Sequence, residues 1–495
     1  MNLSEINTYE SAVSYCLAVP RFTKKNDMES TRDFYNFLGK PGSKARIVHV
    51  AGTNGKGSVC AFLQSICMQL GKKTGMFTSP HLCDIRERIR FDSFMISQEE
   101  FLCAFLRFKE NLSVFREQHP NKQDYHPSYF ELLFFIGMLY FEKSMPDIIL
   151  LETGLGGRLD ATNIIEKPAV CVITKIGFDH MEYLGDTLTQ IAGEKAGILK
   201  KEVPVVYWKE KKEAAKVIEE KAVSLSSPCI IVSKEDVNSN LFHDKYIDFS
   251  YKSRYYGYVR FLIETKAVYQ MENAALAIAA AEQLFLEEYE LENINAAKIS
   301  VDFSMSEHKG NPDKEEFRTF QSLGEEVNSK NLSSYGDFQK RVIFLKKLQE
   351  GIKNMHWAGR MEEVLPGVFL DGAHNEDGIE AFLATVKQDR CRGKRSLLFS
   401  VVSDKQYQKM AKMIVESGLF DCIYTAEIAS ERSITEEELV ILFRGAEKIK
   451  HFTTPEEALQ GMICDRDEDD YLYAAGSLYL IGQLKEWLNR KAKVY

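Results

Sequence analysis

Short apolar runs alternate with helical stretches along residues 1–300, and this alternation constrains the fold more than any other feature of the sequence. The segment DIILLE, residues 147–152, is a continuous apolar run between two acids, as expected of a central parallel strand covered by helices on both faces. Similar runs occupy residues 48–51, 75–78, 169–175 and 204–208. Helical patterns at residues 58–70 and 187–199 lie between such runs, so the sequence predicts an α/β fold with a parallel sheet.

The alternation of apolar runs and helical stretches resumes from residue 352, after a segment of different composition. Residues 304–339 are rich in Ser, Asn, Lys, Glu and Gly, which predicts a surface insertion or flexible linker; a poorly packed loop with one short helix is the alternative. Beyond it, strand patterns occupy residues 368–371, 396–402, 422–426 and 471–475. Helical patterns follow them at residues 376–388, 406–417, 435–448 and 478–491. We therefore expect a second, smaller α/β domain.

Length and composition narrow the class of protein. A chain of 495 residues is too long for one hydrophobic core, and two or three domains are expected. The formal net charge of -9 gives no support for a nucleic-acid partner. The apolar stretch 130–141 contains Glu131 and is too short to span a bilayer, so it predicts a buried helix and no membrane association. Ten scattered cysteines without a CxxC pair suit a reducing, cytoplasmic location.

The segment HVAGTNGKGS, residues 49–58, is similar to a phosphate-binding loop but departs from the Walker A pattern G-x-x-x-x-G-K-[ST]. Two residues separate its first two glycines, and a third glycine lies between the lysine and the serine. Glycines allow positive φ and a close phosphate, and the helix that follows would direct N–H groups at the anion. A tight turn with a chance lysine is the alternative. The predicted phosphate-binding residues are Gly52, Thr53, Asn54, Gly55, Lys56, Gly57 and Ser58.

Two further strand ends carry side chains suited to a metal site. Glu152 ends the DIILLE run, and Asp179 and His180 follow the strand pattern at residues 169–175. Because the carboxyl ends of parallel strands share one edge of a sheet, we expect these side chains near the phosphate loop. A carboxylate there would bind magnesium, and a neutral imidazole would bind a second metal. A solvent-exposed strand-capping glutamate and a packing histidine are the alternatives.

A set of motifs in a fixed order extends this prediction over nearly the whole chain. They are IVHVAGTNGKGSV, GMFTSPHL, ERIRFD, LLETGLGGRLDATN, ITKIGFDHMEYLGDTLTQIAGEKAGILK, QMENAALAIAAAEQL, HWAGRMEEV, LDGAHNEDGIEAF and AAGSLYLIGQL. With them the chain resembles the folylpolyglutamate synthase/dihydrofolate synthase family of Mur-type amide ligases. The resemblance implies a P-loop parallel-sheet ATPase domain over residues 1–300, a polar insertion and interdomain linker over residues 301–351, and a Rossmann-like α/β domain over residues 352–495.

The resemblance also implies a reaction. ATP converts a carboxylate into an acyl phosphate, and the amino group of L-glutamate displaces the phosphate. The product is dihydrofolate from dihydropteroate, or a folate extended by a γ-linked glutamate, made by a monomer. A Mur ligase acting on another carboxylate is one alternative, but a loop near residue 50 leaves no room for an N-terminal UDP-binding domain. A nucleotide-gated regulatory ATPase is the other, and the intact set of Lys56, Glu152, His180 and Lys195 argues against it.

Metal and catalytic residues follow from the resemblance. Ser79 of TSPHL and Glu152 would hold one Mg²⁺ together with the ATP phosphates, and Glu152 and His180 would hold a second. The second metal would be completed by carbamylated Lys195 of IAGEKAGILK, and a monovalent cation is a further expected cofactor. Lys56, His180 and Lys195 are the expected catalytic residues. From the residues alone, Lys195 would instead be an ordinary surface lysine.

Nucleotide contacts are implied farther along the chain, at Asn273 of QMENAALA, Arg360 of HWAGR, and Asp371 and His374 of LDGAHN. A strand-end Asp-Gly turn and an N-terminal helix cap at Asn375 are the structural alternatives. The segment FSVVSDKQ departs from the family pattern: it keeps Asp404 and Lys405 but lacks the preceding glycine and the second aspartate. That departure puts the glutamate contacts there in doubt. Arg432 is a further candidate partner for a carboxylate or phosphate, and residues 78–92 are expected to border the pterin pocket.

Overall fold

The computed structural model describes residues 6–19, 27–243, 245–291, 332–403, 406–430 and 433–492. In the first part, eight strands form one sheet: β1 (Arg46–Ala51), β2 (Thr74–Phe77), β3 (Ile89–Phe91), β4 (Phe94–Met95), β5 (Ile148–Glu152), β6 (Val170–Ile173), β7 (Val205–Lys209) and β8 (Cys229–Ser233). Their order is β4-β3-β2-β5-β1-β6-β7-β8, and all neighbours are parallel except β2-β3 and β3-β4. The predicted parallel α/β sheet is confirmed, with β1 at its centre.

Ten helices accompany this sheet in the described residues: α1 (Tyr9–Ala18), α2 (Met28–Phe37), α3 (Lys56–Gln69), α4 (Gln98–Gln118), α5 (Tyr129–Ser144), α6 (Met181–Leu184), α7 (Leu188–Ala196), α8 (Lys212–Ser224), α9 (Gln270–Leu284) and α10 (Leu332–Lys353). They cover both faces, so β5 is buried along its whole length. This burial explains why the DIILLE run is continuously apolar rather than alternating.

Helix α5 is the buried helix that the apolar stretch predicts. Ser128 caps it, because its hydroxyl accepts from the Glu131 amide while the Glu131 carboxylate accepts from the Ser128 amide. The same buried carboxylate accepts a hydrogen bond from Thr31 Oγ1 at 2.6 Å, so this polar group inside the apolar layer is hydrogen-bonded. No helix in the described ranges is long and apolar enough to cross a membrane.

A three-stranded antiparallel sheet follows, and sequence analysis did not predict it: β9 (Val237–Phe242), β10 (Ile247–Ser253) and β11 (Gly257–Ile263). The predicted linker 304–339 is wrong at its end, because residues 332–339 already belong to α10. That helix is held by its later turns, where Phe344, Leu348 and Ile352 are fully buried in the core that includes α3. The rest of the predicted insertion, residues 304–331, lies outside the described residues.

The second part contains a six-stranded sheet, with strands β12 (Glu362–Leu365), β13 (Val368–Leu370), β14 (Arg395–Phe399), β15 (Cys422–Ala426), β16 (Ile449–Phe452) and β17 (Tyr471–Ala475). Their order is β12-β13-β17-β14-β15-β16, parallel except for β12-β13. The helices are α11 (Glu376–Gln388), α12 (Tyr407–Ser417), α13 (Glu436–Leu442), α14 (Pro455–Asp465) and α15 (Leu478–Ala492). The second α/β unit is thus confirmed as a fold, while the boundaries at residues 300 and 352 stay predictions.

One predicted helix in this part is too long. The pattern at residues 435–448 predicts a helix to Lys448, but α13 ends at Leu442. The short segment Ile449–Phe452 that follows is β16, which pairs with β15 at the sheet edge. The chain needs residues 443–448 to turn from the helix into this strand, and four residues of edge strand give too short a pattern to identify.

Candidate functional site

The phosphate loop joins the carboxyl end of β1 to α3, at the centre of the first sheet. Gly55 precedes the helix with φ of 91°, and no side chain in the described part of the chain caps the first turn, so its N–H groups remain suited to an anion. Added side-chain carbons would overlap Thr174 Oγ1 at Gly52 and Asn273 Oδ1 at Gly55. Close packing therefore requires both glycines, in addition to their positive φ.

Lys56 and Glu152 lie together at this loop. Lys56 Nζ donates to the carbonyl oxygens of Gly52 (3.1 Å) and Thr53 (3.2 Å) and lies 3.9 Å from Glu152 Oε1. Glu152 is 3% exposed, and its Oε2 accepts a hydrogen bond from the Ser79 amide at 2.9 Å. Burial raises the pKa of the Glu152 carboxyl, and the Lys56 ammonium opposes that rise. A bound cation would offset the cost of burying this carboxylate.

Lys195 lies under the same loop rather than on the surface. It projects from α7 and is 4% exposed, and its Nζ donates to the Gly52 carbonyl oxygen at 2.7 Å. Since Lys56 donates to the same oxygen, the two amino groups meet at one acceptor. Burial and the neighbouring Lys56 lower the pKa of Lys195 to about 7. The surface-lysine alternative is therefore wrong, and a large share of this side chain is a neutral amine near neutral pH.

His180 and Asp179 follow β6, as the strand pattern predicts. His180 has φ of 50° and begins the short helix α6, and its amide donates to Asp179 Oδ1 at 2.9 Å. His180 Nε2 lies 3.9 Å from Asp179 Oδ2, and His374 Nε2 lies 3.9 Å from the same oxygen. One carboxylate of the first part is thus adjacent to two imidazoles, one from each part of the chain.

The first turn of α9 closes another side of the loop. Gln270 Nε2 donates to Ser58 Oγ at 3.3 Å, and Asn273 Nδ2 donates to Gln270 Oε1 at 2.9 Å. All three side chains are buried. Sequence analysis predicted Ser58 and Asn273 but not Gln270, although Gln270 begins the QMENAALA motif.

Asp371 lies at the end of β13 and is 2% exposed. Its Oδ2 accepts hydrogen bonds from the Tyr269 hydroxyl (2.5 Å) and the Met361 amide (2.9 Å), and its Oδ1 accepts from the Ala373 amide (2.8 Å). Burial raises the pKa of Asp371, and the Arg360 guanidinium opposes that rise. The Asp371 carboxylate therefore stabilises the turn that follows β13 and links this turn to the first part of the chain through Tyr269. A contact between Asp371 and the nucleotide stays a prediction.

The predicted phosphate-loop, metal, catalytic and nucleotide-contact residues all line one cavity of about 1720 Å³ between the two parts of the chain. The set consists of Gly52, Thr53, Asn54, Gly55, Lys56, Gly57, Ser58, Ser79, Glu152, His180, Lys195, Asn273, Arg360, Asp371 and His374. The structure therefore brings these distant motifs together, while their individual roles stay predictions. Asp404, Lys405 and Arg432 lie outside the described residues.

The residues present suit magnesium bound together with phosphate. Within the described ranges, no group of three or more His, Cys, Asp or Glu side chains is arranged to hold a metal ion. Mg²⁺ at phosphate sites takes only one or two protein carboxylates, and phosphate oxygens and waters complete its shell. A single buried carboxylate, Glu152, next to Ser79 and an anion-binding loop matches that requirement.

Two contacts at the cavity were not predicted. Trp357 packs against the phosphate loop, where a Cβ added at Gly57 would lie 3.0 Å from its Cζ2. Asn375 bonds to Asn54 of the loop, although the sequence indicates it only as a helix cap. Both contacts join segments far apart in the chain, and a single sequence carries no signal for such pairs.

Comparison with known proteins agrees with this geometry. The model of the Mur ligase middle domain matches residues 130–281, and that of the Mur ligase, glutamate ligase domain matches residues 359–478. The dihydrofolate synthase/folylpolyglutamate synthase of Bacillus subtilis (strain 168) is 30% identical over 490 residues, covering 97% of this chain and 99% of that protein. The chain belongs to the dihydrofolate synthase/folylpolyglutamate synthase family. Membership makes it an ATP-dependent ligase.

Solved structures of this family share the fold. The crystal structure of folylpolyglutamate synthase from Thermotoga maritima is 26% identical, with a TM-score of 0.74, and covers 98% of this chain and 97% of that chain. Escherichia coli FolC in complex with DHPP and ADP superposes with a TM-score of 0.75 at 24% identity, over 98% of this chain and 99% of that one. The similarity to the Escherichia coli structure, at 24% identity, supports the fold alone, over both parts of the chain.

Proposed function

We propose that this ligase uses ATP to join L-glutamate to the carboxylate of a folate or a pteroate, as a cytoplasmic monomer. The observation that carries the proposal is the meeting of the phosphate loop, Glu152 and Lys195 in one cavity that segments of the second part also line. The family supplies the reaction class. The relative from Bacillus subtilis is named for both the dihydrofolate and the folylpolyglutamate activity, so either acceptor is consistent with it.

The wall of the cavity on the TSPHL side suits an aromatic, anionic acceptor. Aromatic side chains there include Tyr129 and Phe130, and Arg88 supplies a positive charge. The Arg88 guanidinium lies 5.3 Å from the Tyr129 ring centroid, and its Nε donates to His81 Nδ1 at 2.8 Å. A flat ring packs on such side chains, and a guanidinium pairs with a carboxylate. The position agrees with the pterin pocket expected beside residues 78–92.

The reaction explains the arrangement of charges. An acceptor carboxylate oxygen attacks the γ-phosphorus, the bond to the β-phosphate oxygen breaks, and ADP leaves. The amino nitrogen of glutamate then attacks the acyl carbon and forms a tetrahedral intermediate. As the intermediate collapses, the bond from carbon to the phosphate oxygen breaks, phosphate leaves and the nitrogen releases one proton. Two anions must approach each other in the first step, so Lys56 and the N–H groups of α3 would lower the repulsion between them. The Lys56 side chain is only 17% exposed, and this partial shielding from solvent strengthens the effect.

Magnesium binding is part of the proposal. Ser79 and Glu152 would hold one Mg²⁺, and Glu152, His180 and carbamylated Lys195 would hold the second. When bound, magnesium supplies positive charge that neutralises the phosphates. Lys195 would react with CO₂ as the neutral amine, and its N–C bond forms with release of one proton. The burial of Lys195 and its pKa of about 7 support that chemistry.

The test measures ADP formation with dihydropteroate and with tetrahydrofolate in parallel, with and without glutamate. We expect turnover only when both glutamate and one acceptor are present, and mass spectrometry of the products gives the length of the glutamate tail. ATP hydrolysis that continues without either substrate would contradict the proposal and favour the regulatory ATPase. Turnover with a different carboxylate and neither acceptor would favour another Mur-type activity.

A further inference from the structure

A reciprocal pair of side-chain amides joins the phosphate loop to the second part of the chain. Asn54 Nδ2 donates to Asn375 Oδ1 at 3.0 Å, and Asn375 Nδ2 donates to Asn54 Oδ1 at 3.1 Å. Asn54 lies between Thr53 and Gly55 in the loop, and Asn375 is the N-cap of α11. The pair therefore connects the residue before the anion-binding turn with the start of a helix that follows the LDGAHN segment.

The orientation of the Asn375 amide is fixed by two further partners. Its Oδ1 accepts from the Gly378 amide at 2.9 Å, and its Nδ2 donates to Asp179 Oδ2 at 3.2 Å. If the Asn375 amide were flipped, its NH₂ group would face the Gly378 N–H and its oxygen would face the Asp179 carboxylate. Both hydrogen bonds would then be lost, because two donors or two acceptors cannot bond to each other. The fixed orientation of Asn375 in turn sets that of Asn54. Because Asn375 is 5% exposed, water does not readily replace these contacts.

The first turn of α11 is also docked against the first part of the chain, next to the phosphate loop. Lys211 Nζ pairs with Asp377 Oδ1 at 3.0 Å. Asp377 Oδ2 lies so close to Gly177 that a side chain at position 177 would overlap it. Gly177 in turn is tied to the phosphate loop, because its amide donates to Thr53 Oγ1 at 3.0 Å and its carbonyl oxygen accepts from the same hydroxyl at 3.1 Å. The first sheet thus has a surface shaped for the start of α11.

We propose that Asn54 and Asn375 are a positioning pair, which fixes residues 371–375 of the second part over the phosphate loop and so prepares the nucleotide site. The pair deepens the proposed function, since it rests on ATP as the substrate at this loop. Its members act on the nucleotide through placement: Asn54 orders the loop, and Asn375 orders the turn that carries His374. Neither side chain needs to contact a reacting atom for the pair to matter.

A double-mutant cycle tests the pair, with Asn54→Ala, Asn375→Ser and the double variant. Serine keeps the helix cap but cannot reach Asn54, so Asn375→Ser removes the bridge without removing the cap. We expect each single variant to lower kcat/KM for ATP about ten- to a hundredfold, the effect of losing two hydrogen bonds. The kcat/KM of the double variant should equal that of the more impaired single variant, because one substitution already breaks the pair. At saturating ATP, the KM for glutamate should stay within about twofold of wild type, because loss of a placement contact at the loop leaves the amine site intact.

ADP affinity, measured by calorimetry, gives a second readout that does not depend on turnover. The expected loss is about tenfold in Asn375→Ser, and it remains measurable if the acceptor proves to be something other than a folate. Failure of the proposed function would appear in the wild-type assay, whereas failure of the pair appears only in the variants. Should Asn375→Ser fold poorly, Asn375→Thr keeps the cap, fills more of the volume and also removes the amide donor.

Thr454→Ala is the matched control. Thr454 caps α14 by accepting from the Glu457 amide at 3.3 Å, in the same part of the chain but without contact to the phosphate loop. It should lower the melting temperature while leaving ADP affinity unchanged. Multiplicative losses in the double variant, or unchanged ADP affinity and kcat/KM in Asn375→Ser, would overturn the positioning role.

Discussion

Gly57 explains why the phosphate loop departs from the Walker A pattern. The side of the helix at this residue is occupied by the Trp357 ring, so any side chain would press on it. The Arg90 guanidinium lies 5.3 Å from the Trp357 ring centroid. The extra glycine thus makes room for an aromatic residue from the HWAGR segment. Sequence analysis identified the departure but not this cause, because the two residues are brought together only by the fold.

Lys195 is the residue whose position the sequence predicts least well. From the residue alone it would be a surface lysine, and only the surrounding motif implies a carbamylated metal ligand. The structure places it at the Gly52 carbonyl oxygen, next to Lys56. Burial of an amine beside another ammonium is costly for stability, so its retention in the cavity agrees with a role in the reaction.

Replacing Lys195 tests the carbamylation proposal. We expect Lys195→Ala to lose at least about a hundredfold in kcat, because an anionic metal ligand is removed. Added formate or acetate should restore part of the activity by supplying a carboxylate in the vacated space. Lys195→Arg should be inactive and should not respond, since a guanidinium cannot be carbamylated.

Lys200→Ala is the control for that experiment. Lys200 follows Lys195 in the same motif, but its Nζ donates to Asn163 O at 3.0 Å and to Asn163 Oδ1 at 2.8 Å. Lys200→Ala should lower the melting temperature, and its activity should not change when formate or acetate is added. Full activity of Lys195→Ala without any addition would rule out the carbamate.

At the level of elements, strands that end at the active site were the most predictable. β5 and β6 are apolar runs, and β1 is apolar except for Arg46 and His49; their carboxyl ends carry the loop, Glu152 and Asp179, as parallel topology requires. The antiparallel sheet was missed although β11 and the second half of β10 alternate in burial. β9 is exposed or half-exposed along its whole length, so its sequence, VNSNLF, gives no period to detect.

Helix α9 carries a buried acid that makes stability depend on pH. Glu282 is 1% exposed and accepts a hydrogen bond from Ser253 Oγ of β10. Burial raises the pKa of Glu282 from 4.5 to about 8. Between these values the folded state keeps a proton that the unfolded state has released, so the free energy of unfolding falls as pH rises from 4.5 to 8.

Glu282→Gln should remove this dependence, because the amide keeps the acceptor for Ser253 and carries no charge. We expect the free energy of unfolding of the variant to exceed that of wild type by an amount that grows with pH. The difference should be small at pH 5 and at most about 4 kcal/mol at pH 8. Urea unfolding at both pH values measures the difference. The exposed Glu220→Gln, on α8, serves as the control and should stay within about 0.5 kcal/mol of wild type. Parallel stability profiles of Glu282→Gln and wild type would contradict the assignment.

At the scale of the whole molecule, the arrangement of the two α/β units decides the site. The motifs predict which residues belong to it, but the cavity of about 1720 Å³ arises only where the second unit meets the edge of the first sheet. Pairs such as Asn54–Asn375 and Tyr269–Asp371 depend on that relative placement. The residues around one member of such a pair give no indication of the other member. The sequence therefore predicts the residues on each surface but not which of them are in contact.

The chain on either side of residues 292–331 is anchored in the first unit. Arg341 of α10 donates to the Glu290 carbonyl oxygen at 2.6 Å, and the Tyr289 and Phe344 rings lie 4.7 Å apart between centroids. Residues 289–290 and residues 341–344 are therefore in contact, and α10 begins about 14 Å before Arg341 along the helix axis. A flexible linker spans that distance, so we expect the predicted insertion to be replaceable without disturbing the first unit.

Replacing residues 304–331 by a flexible ~12-residue Gly/Ser linker should leave kcat and KM within about twofold of wild type, because the linker together with residues 292–303 is long enough to connect residue 291 to the start of α10. Phe344→Ala, just beyond the replaced segment, should instead cost about 3–5 kcal/mol, because it opens a cavity in the buried contact between α10 and the first unit. Both variants are compared with wild type by steady-state kinetics and thermal unfolding. If the linker variant lost ligase activity while its melting temperature stayed at that of wild type, residues 304–331 would have a direct role in the reaction, and the expectation that they carry no catalytic function would be wrong.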